Sequence, residues 1–258
     1  MTTASHGSLK ALALGISTAA CAFGLGSATA SAADWSTTEV QFQYGKLDSP
    51  FAGGTAWTPI ITLQHASGYS FGDVFFFVDF IDDDTTDGFN DKDAYGEFYA
   101  YFSSAKILGA TYGGPIKDVG VVLGLNYGAD ADYLSYLPGA YIDWKAPGFA
   151  FLRTQVTAVI DDSGPYVTQG DGWQFDISWG LPFQIGGQYF SFEGHAEYTG
   201  TQDEDWILAQ PQLRWDAGYA FTGKKDVFFL GTEYQYWRNK LGTDVDESAF
   251  QALAVWRF

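Results

Sequence analysis

From Glu39 to its last residue the chain repeats one pattern, apolar and polar residues in alternation with a period of two, and the clearest copy is its final segment. Phe250, Ala252, Ala254, Trp256 and Phe258 fall on one face of an extended Phe250–Phe258 run. Gln251 and Arg257 fall on the other, and the sequence stops on the aromatic residue. Such alternation marks a strand with two different surroundings. A soluble β-domain could end this way. So could a membrane barrel, in which strands survive in lipid only if the barrel closes and every backbone N–H and C=O is paired.

About twelve segments share the alternation, separated by Gly, Pro and Asp clusters. The clearest are Glu39–Tyr44, Asp73–Ile81, Glu97–Phe102, Val119–Tyr127, Phe151–Ile160, Trp173–Leu181, Tyr189–Tyr198, Val227–Trp237 and Phe250–Phe258. Weaker ones are Ile60–Ala66, Leu137–Trp144 and Ile207–Trp215; Pro138 and Pro211 in the last two remove ladder donors and predict bulges or strand ends. No helix-period segment or internal repeat competes. The expected fold is all-β: a transmembrane antiparallel β-barrel of about twelve strands over residues 33–258, after a cleaved N-terminal signal peptide over residues 1–32.

The leader reading rests on Lys10, the weakly apolar run Ala11–Leu25 and the small residues Ala30-Ser31-Ala32 before Ala33. No stretch is long and apolar enough for a helical span. Cys21, the sole cysteine, lies in the leader, so the mature chain can form no disulfide or thiolate metal site; lipidation at Cys21 is disfavoured by Thr18 and by the better cleavage site downstream. Removing the leader leaves 12 basic and 31 acidic residues, a net charge of −19. That balance argues against nucleic acid polymers as partners. Aromatics nonetheless make up 18% of the chain.

The connections sort by charge. Asp82–Asp93, Gly128–Ser135, Asp161–Gly172, Gly200–Asp205 and Arg238–Glu247 are acidic, whereas Ser67–Gly72, Ser103–Lys117, Lys145–Gly148, Pro182–Gly187 and Ala217–Lys225 alternate with them and are shorter or carry lysine. A barrel with both ends in the periplasm puts the first set outside the cell and the second inside. Within strands, Val74, Phe76, Val78 and Phe80 oppose Asp73, Phe75, Phe77 and Asp79, and Phe98, Ala100 and Phe102 oppose Glu97, Tyr99 and Tyr101. Likewise Trp173, Phe175, Ile177 and Trp179 oppose Gln174, Asp176 and Ser178, and Phe190 and Phe192 oppose Glu193, His195 and Glu197. A charge facing lipid at mid-membrane costs ~2–4 kcal/mol, so the carboxylate-bearing faces belong to the lumen.

Three stretches resemble the Tsx/OmpK family of nucleoside-specific outer-membrane channel-forming proteins: His65-Ala-Ser-Gly-Tyr-Ser-Phe-Gly-Asp-Val-Phe-Phe-Phe-Val-Asp79, Glu233-Tyr-Gln-Tyr-Trp-Arg-Asn-Lys-Leu-Gly242, and Phe250–Phe258. The resemblance implies a monomeric twelve-stranded barrel in the Gram-negative outer membrane, exported through the periplasm and passing nucleosides and deoxynucleosides by diffusion without a cofactor or turnover. In some members it extends to a phage or colicin receptor role. The residues fit that solute. An acidic lumen admits uncharged nucleosides and repels nucleotides. Bases stack on aromatic rings at ~1–3 kcal/mol each, and ribose hydroxyls bond carboxylates and amides. Phe75, Phe77, Asp79, Glu97, Tyr99 and Tyr101 offer both chemistries and are the expected substrate contacts.

Other residues invite weaker readings. Arg153, Arg214 and Arg257 share inward faces with Gln155, Gln212 and Gln251, either as a field across the lumen or as ordinary ion pairs. His65 and Ser67, two apart on one strand, have the spacing of outer-membrane lipid hydrolases, with Asp79 at the distance of an orienting acid; but Ile61 and Leu63 send the pair toward lipid and Asp79 inward. A catalytic role is therefore not expected, nor is any metal set. Asp83–Asp93 has the acidity of a calcium loop, but Ala94 stands where a bidentate Glu is needed. A solvated loop contacting lipopolysaccharide is the reading preferred.

Overall fold

A strand ladder in hydrocarbon cannot leave an edge open, and here the first strand pairs with the last. The computed structural model describes residues 32–258 apart from Asp87, Tyr166, Thr168 and Asp203; the expected leader, up to Ser31, lies outside the described residues. In order come β1 (Trp35–Asp48), β2 (Thr55–Tyr69), β3 (Gly72–Ile81), β4 (Asp93–Ser103), a short helix α1 (Ser104–Leu108), β5 (Ile116–Gly128), β6 (Tyr133–Trp144) and β7 (Phe151–Asp161). Then follow β8 (Gly172–Ile185), β9 (Gln188–Thr201), β10 (Asp205–Ala209), β11 (Gln212–Trp215), a helix α2 (Ala217–Thr222), β12 (Phe228–Arg238) and β13 (Glu247–Arg257). Every pairing is antiparallel; strands β1 to β9 pair in sequence order, β9 and β12 each pair with both β10 and β11, β12 pairs with β13, and β13 closes on β1 with Gln41 opposite Val255. The result is a closed barrel.

β10 and β11 are two halves of one stave. Pro211 has no N–H to give, and the ladder breaks there; yet Ala209↔Ala196 before the break and Gln212↔Glu193 after it keep one register against β9. Twelve staves therefore remain, as the alternation predicts. Gly194 faces the break at φ 144°, where a Cβ would come 2.3 Å from the Gln210 carbonyl oxygen. Only glycine lets the chains approach so closely. Pro138 acts more mildly: Leu137 and Pro138 drop out of the ladder to β7, while Tyr136↔Ile160 and Gly139↔Thr157 continue on the same register.

The pleat sorts side chains as the alternation requires. Val40, Phe42, Ile61, Phe80, Phe98, Val121, Leu123, Val156, Trp173, Phe175, Leu213 and Phe250 are exposed on the outside. Glu39, Glu97, Asp176, Glu197, Glu233 and Gln251 are buried within. A closed barrel with an apolar outer surface and charges turned inward is built to sit in lipid, and its place is the outer membrane. At β13 the exposed face is Phe250, Ala252 and Trp256, whereas Leu253 and Val255 turn inward and pack on Phe229.

Candidate functional site: a lumen with two walls

β3 to β6 form an aromatic wall. Register places Phe75 opposite Tyr99 and Phe77 opposite Glu97, so the expected contact residues lie side by side on two adjacent strands. Phe75 and Phe77 stand 6.2 Å apart by ring centroids, Tyr99 and Tyr101 are stacked at 6.1 Å, and Phe77 continues the series to Tyr95 at 6.1 Å. Tyr95 in turn stacks on Tyr133 at 6.5 Å. Alternation revealed Phe75, Phe77, Tyr99 and Tyr101; Tyr95 and Tyr133, at the starts of β4 and β6, extend the same wall.

The six residues are not equally open. Tyr99 and Tyr101 pack with Val122 and Tyr141 in a small core on which Phe75 leans. Their hydroxyls are committed: Tyr99 donates to Glu97 at 3.0 Å and Tyr101 to Gln155 at 3.0 Å. Glu97 also accepts from Tyr95 at 2.7 Å and from Asn126 at 3.3 Å. Phe75, Phe77 and Asp79 are only partly buried and face the lumen over this base.

The opposite wall is a belt of amides and carboxylates. Thr62 donates to Asp79 at 2.5 Å, Gln43 to Thr62 at 3.2 Å and to Gln41 at 3.4 Å, and Gln212 reaches Gln41 from β11 at 3.2 Å. Gln212 also donates to Glu233 at 2.5 Å, and Gln251 donates to Glu233 at 2.8 Å and to Gln235 at 3.3 Å. Gln210 donates to Gln235 at 3.2 Å and meets His195 at 2.9 Å, and His195 meets Asp176 at 3.3 Å. One hydrogen-bonded series thus runs from β3 through β2, β1 and the last staves to β8. Buried polar groups need such partners.

The arginines settle into ion pairs. Arg214 holds Glu39 at 3.1 Å and Glu193 at 3.3 Å, while Arg257 reaches the same Glu39 at 2.6 Å. Arg153 pairs with Asp143 at 2.6 Å and, across the intervening staves, with Asp73 at 3.2 Å; its guanidinium lies 3.9 Å from the Tyr101 ring centroid. Each of these groups sits toward the end of its strand away from the acidic connections. Of the two readings open from sequence, the geometry matches pairing.

His65 and Ser67 keep other company. His65 Nδ1 meets Thr38 Oγ1 at 2.7 Å and its ring stacks on Phe76 at 5.4 Å, both on the lipid-facing side. Ser67 Oγ donates to the Tyr69 hydroxyl at 3.3 Å, and Asp79 lies inside with Thr62. The spacing of a hydrolase pair is present without its geometry. In the Asp83–Asp93 loop, Asp83 accepts from the Thr85 backbone at 2.9 Å and Asp91 from that of Gly88 at 2.9 Å, so carboxylates there shape turns.

No protein-family model matches the chain, and no curated protein sequence does. Solved outer-membrane structures are similar to it at low identity. A NanC porin is 11% identical with a TM-score of 0.48, the match covering 85% of this chain and 98% of that one. OpdQ of Pseudomonas aeruginosa is 9% identical at TM-score 0.36, covering 86% and 96%, and OccK8 (OprE) of the same organism is 9% identical at 0.32, covering 86% and 97%. Likeness at this level says nothing of solute choice.

Proposed function

We propose that this barrel is a monomeric passive diffusion channel of the outer membrane that selects nucleosides and deoxynucleosides. The observation that carries the reading is the division of the lumen into an aromatic wall and an amide-carboxylate wall. A nucleoside has the same division, with a flat base on one side and a hydroxylated sugar on the other. Phe75 and Phe77 stack the base over the support of Tyr99 and Tyr101, which Glu97 braces through the Tyr95 and Tyr99 hydroxyls, while Asp79 accepts from sugar hydroxyls. Two stacked contacts at ~1–3 kcal/mol each give a site near the millimolar level, since a Kd of about 1 mM is roughly −4.1 kcal/mol. Weak binding suits the task, because a solute that cannot leave blocks the pore.

The stretches that resemble Tsx/OmpK support the same solute: the first spans the β2–β3 hairpin with Phe75, Phe77 and Asp79, and the second carries Glu233 and Gln235 of the belt. No chemical step belongs to this function, and a phage or colicin would engage the acidic outer loops. Reconstitution in liposomes tests the reading: swelling in adenosine should exceed swelling in a neutral disaccharide of similar mass. Equal rates would reject selectivity.

A further inference from the structure

We propose that Asp176, His195 and Glu197 form a binding site for a divalent transition-metal cation of the Zn²⁺ type inside the lumen. The three residues come from adjacent strands, where Asp176 stands opposite Glu197 and Ser178 opposite His195. One ligand atom from each lies within 4.8 Å of the others. An imidazole nitrogen with two carboxylate oxygens is a zinc-type donor set that leaves a fourth position open.

The hydrogen-bond series fixes which histidine nitrogen is available. Glu247 can only accept, so the Gln235 amide turns its nitrogen to it at 2.6 Å and its oxygen toward Gln210 and Gln251. Gln210 must then offer its own nitrogen to Gln235 and its oxygen to His195 Nε2 at 2.9 Å. Nε2 therefore carries a hydrogen, and Nδ1 faces the Asp176 carboxylate at 3.3 Å. In the neutral ring that arrangement aims a lone pair at an anion. A cation between them resolves the conflict, and 3.3 Å is about the edge of a tetrahedron with bonds of about 2.0–2.1 Å. Gln210 has the position of the outer partner that orients a metal-binding histidine.

A separate feature points the same way. Gln174, 3% exposed, gives its nitrogen to Glu197 at 2.9 Å and to Thr199 at 3.3 Å, while its oxygen finds no donor among the described residues. A buried acceptor without a partner is expensive unless a cation or its bound water supplies one. Glu97, from the aromatic wall, adds its charge to the same neighbourhood. Arg153, Arg214 and Arg257 are engaged elsewhere.

The test is calorimetric titration of the detergent-folded full barrel with ZnCl₂, Mg²⁺ being present in excess to occupy the outer acidic loops. We expect one Zn²⁺ per barrel in the micromolar range, and a loss of at least tenfold in affinity in both His195→Gln and Asp176→Asn, each checked for heat-modifiable migration. Glu197→Gln provides a third, isosteric variant should one of these not fold. Absence of Zn²⁺ binding by the parent barrel at millimolar concentration would overturn the site, leaving a proton on Nδ1 to resolve the conflict. Unchanged affinity in the folded variants would overturn it equally. Neither result bears on nucleoside passage, which is measured separately.

Discussion

Glu39 is the residue on which two distant arginines meet, and it is 2% exposed. Removing one partner of such a buried set leaves an uncompensated charge at about 3–5 kcal/mol. Glu39→Gln should therefore lower the unfolding free energy of the liposome-folded barrel by roughly 3 kcal/mol or more in urea titrations followed by Trp fluorescence. Arg257→Leu should cost less, because Arg257 is partly hydrated and Glu39 keeps Arg214. On the aromatic wall, Phe77→Leu combined with Tyr99→Leu should weaken adenosine block of ion current several-fold in a barrel that still migrates as folded. Unaltered block would return these rings to filling the barrel. Alternation alone exposed the inward faces of Arg214 and Phe77. It could not expose the contact of Arg214 with Glu39, since these lie 175 residues apart and meet only after closure and stagger set which inward residues share a level.

At the scale of the strand, the pleat and the backbone make separate demands. Leu123 sits on the outer face of β5 and Ala66 on the inner face of β2. Leu123→Arg should cost ~2–4 kcal/mol of folding free energy in vesicles, and Ala66→Arg, entering an acidic lumen, clearly less. Equal losses would mean the faces have been assigned wrongly. Gly194→Ala tests the broken stave: with a φ of 144° and a carbonyl in the space of the methyl, the variant should lose ~1–3 kcal/mol in the same urea assay. Strand existence was readable throughout because one face meets lipid and the other water. Strand length was not: β1 runs to Asp48 and β8 to Ile185, past the last clean alternation, because pairing partners continue there. Pro211 was legible as a break because it lacks a donor, but the unchanged register beyond it depends on Gly194, which lies opposite the break on the neighbouring strand β9.

For the whole molecule, one charge asymmetry recurs at two levels. Acidic connections gather at one rim and lysine-bearing ones at the other, and the lumen follows, with Arg153, Arg214 and Arg257 toward the lysine rim and Asp79, Asp176 and Glu197 beyond them. A neutral solute entering from the acidic rim meets no net repulsion, while a phosphorylated one does. The charge sorting was visible in sequence; the division of the lumen into two walls was not, because it needs the order of strands around the ring. Ion current through single barrels in planar bilayers tests the central claim most directly. Adenosine should block the current with half-effect near the millimolar level, adenosine monophosphate should block far less, and a neutral sugar hardly at all. Equal block by the nucleoside and its phosphate, or no block by either in a conducting barrel, would contradict a nucleoside channel.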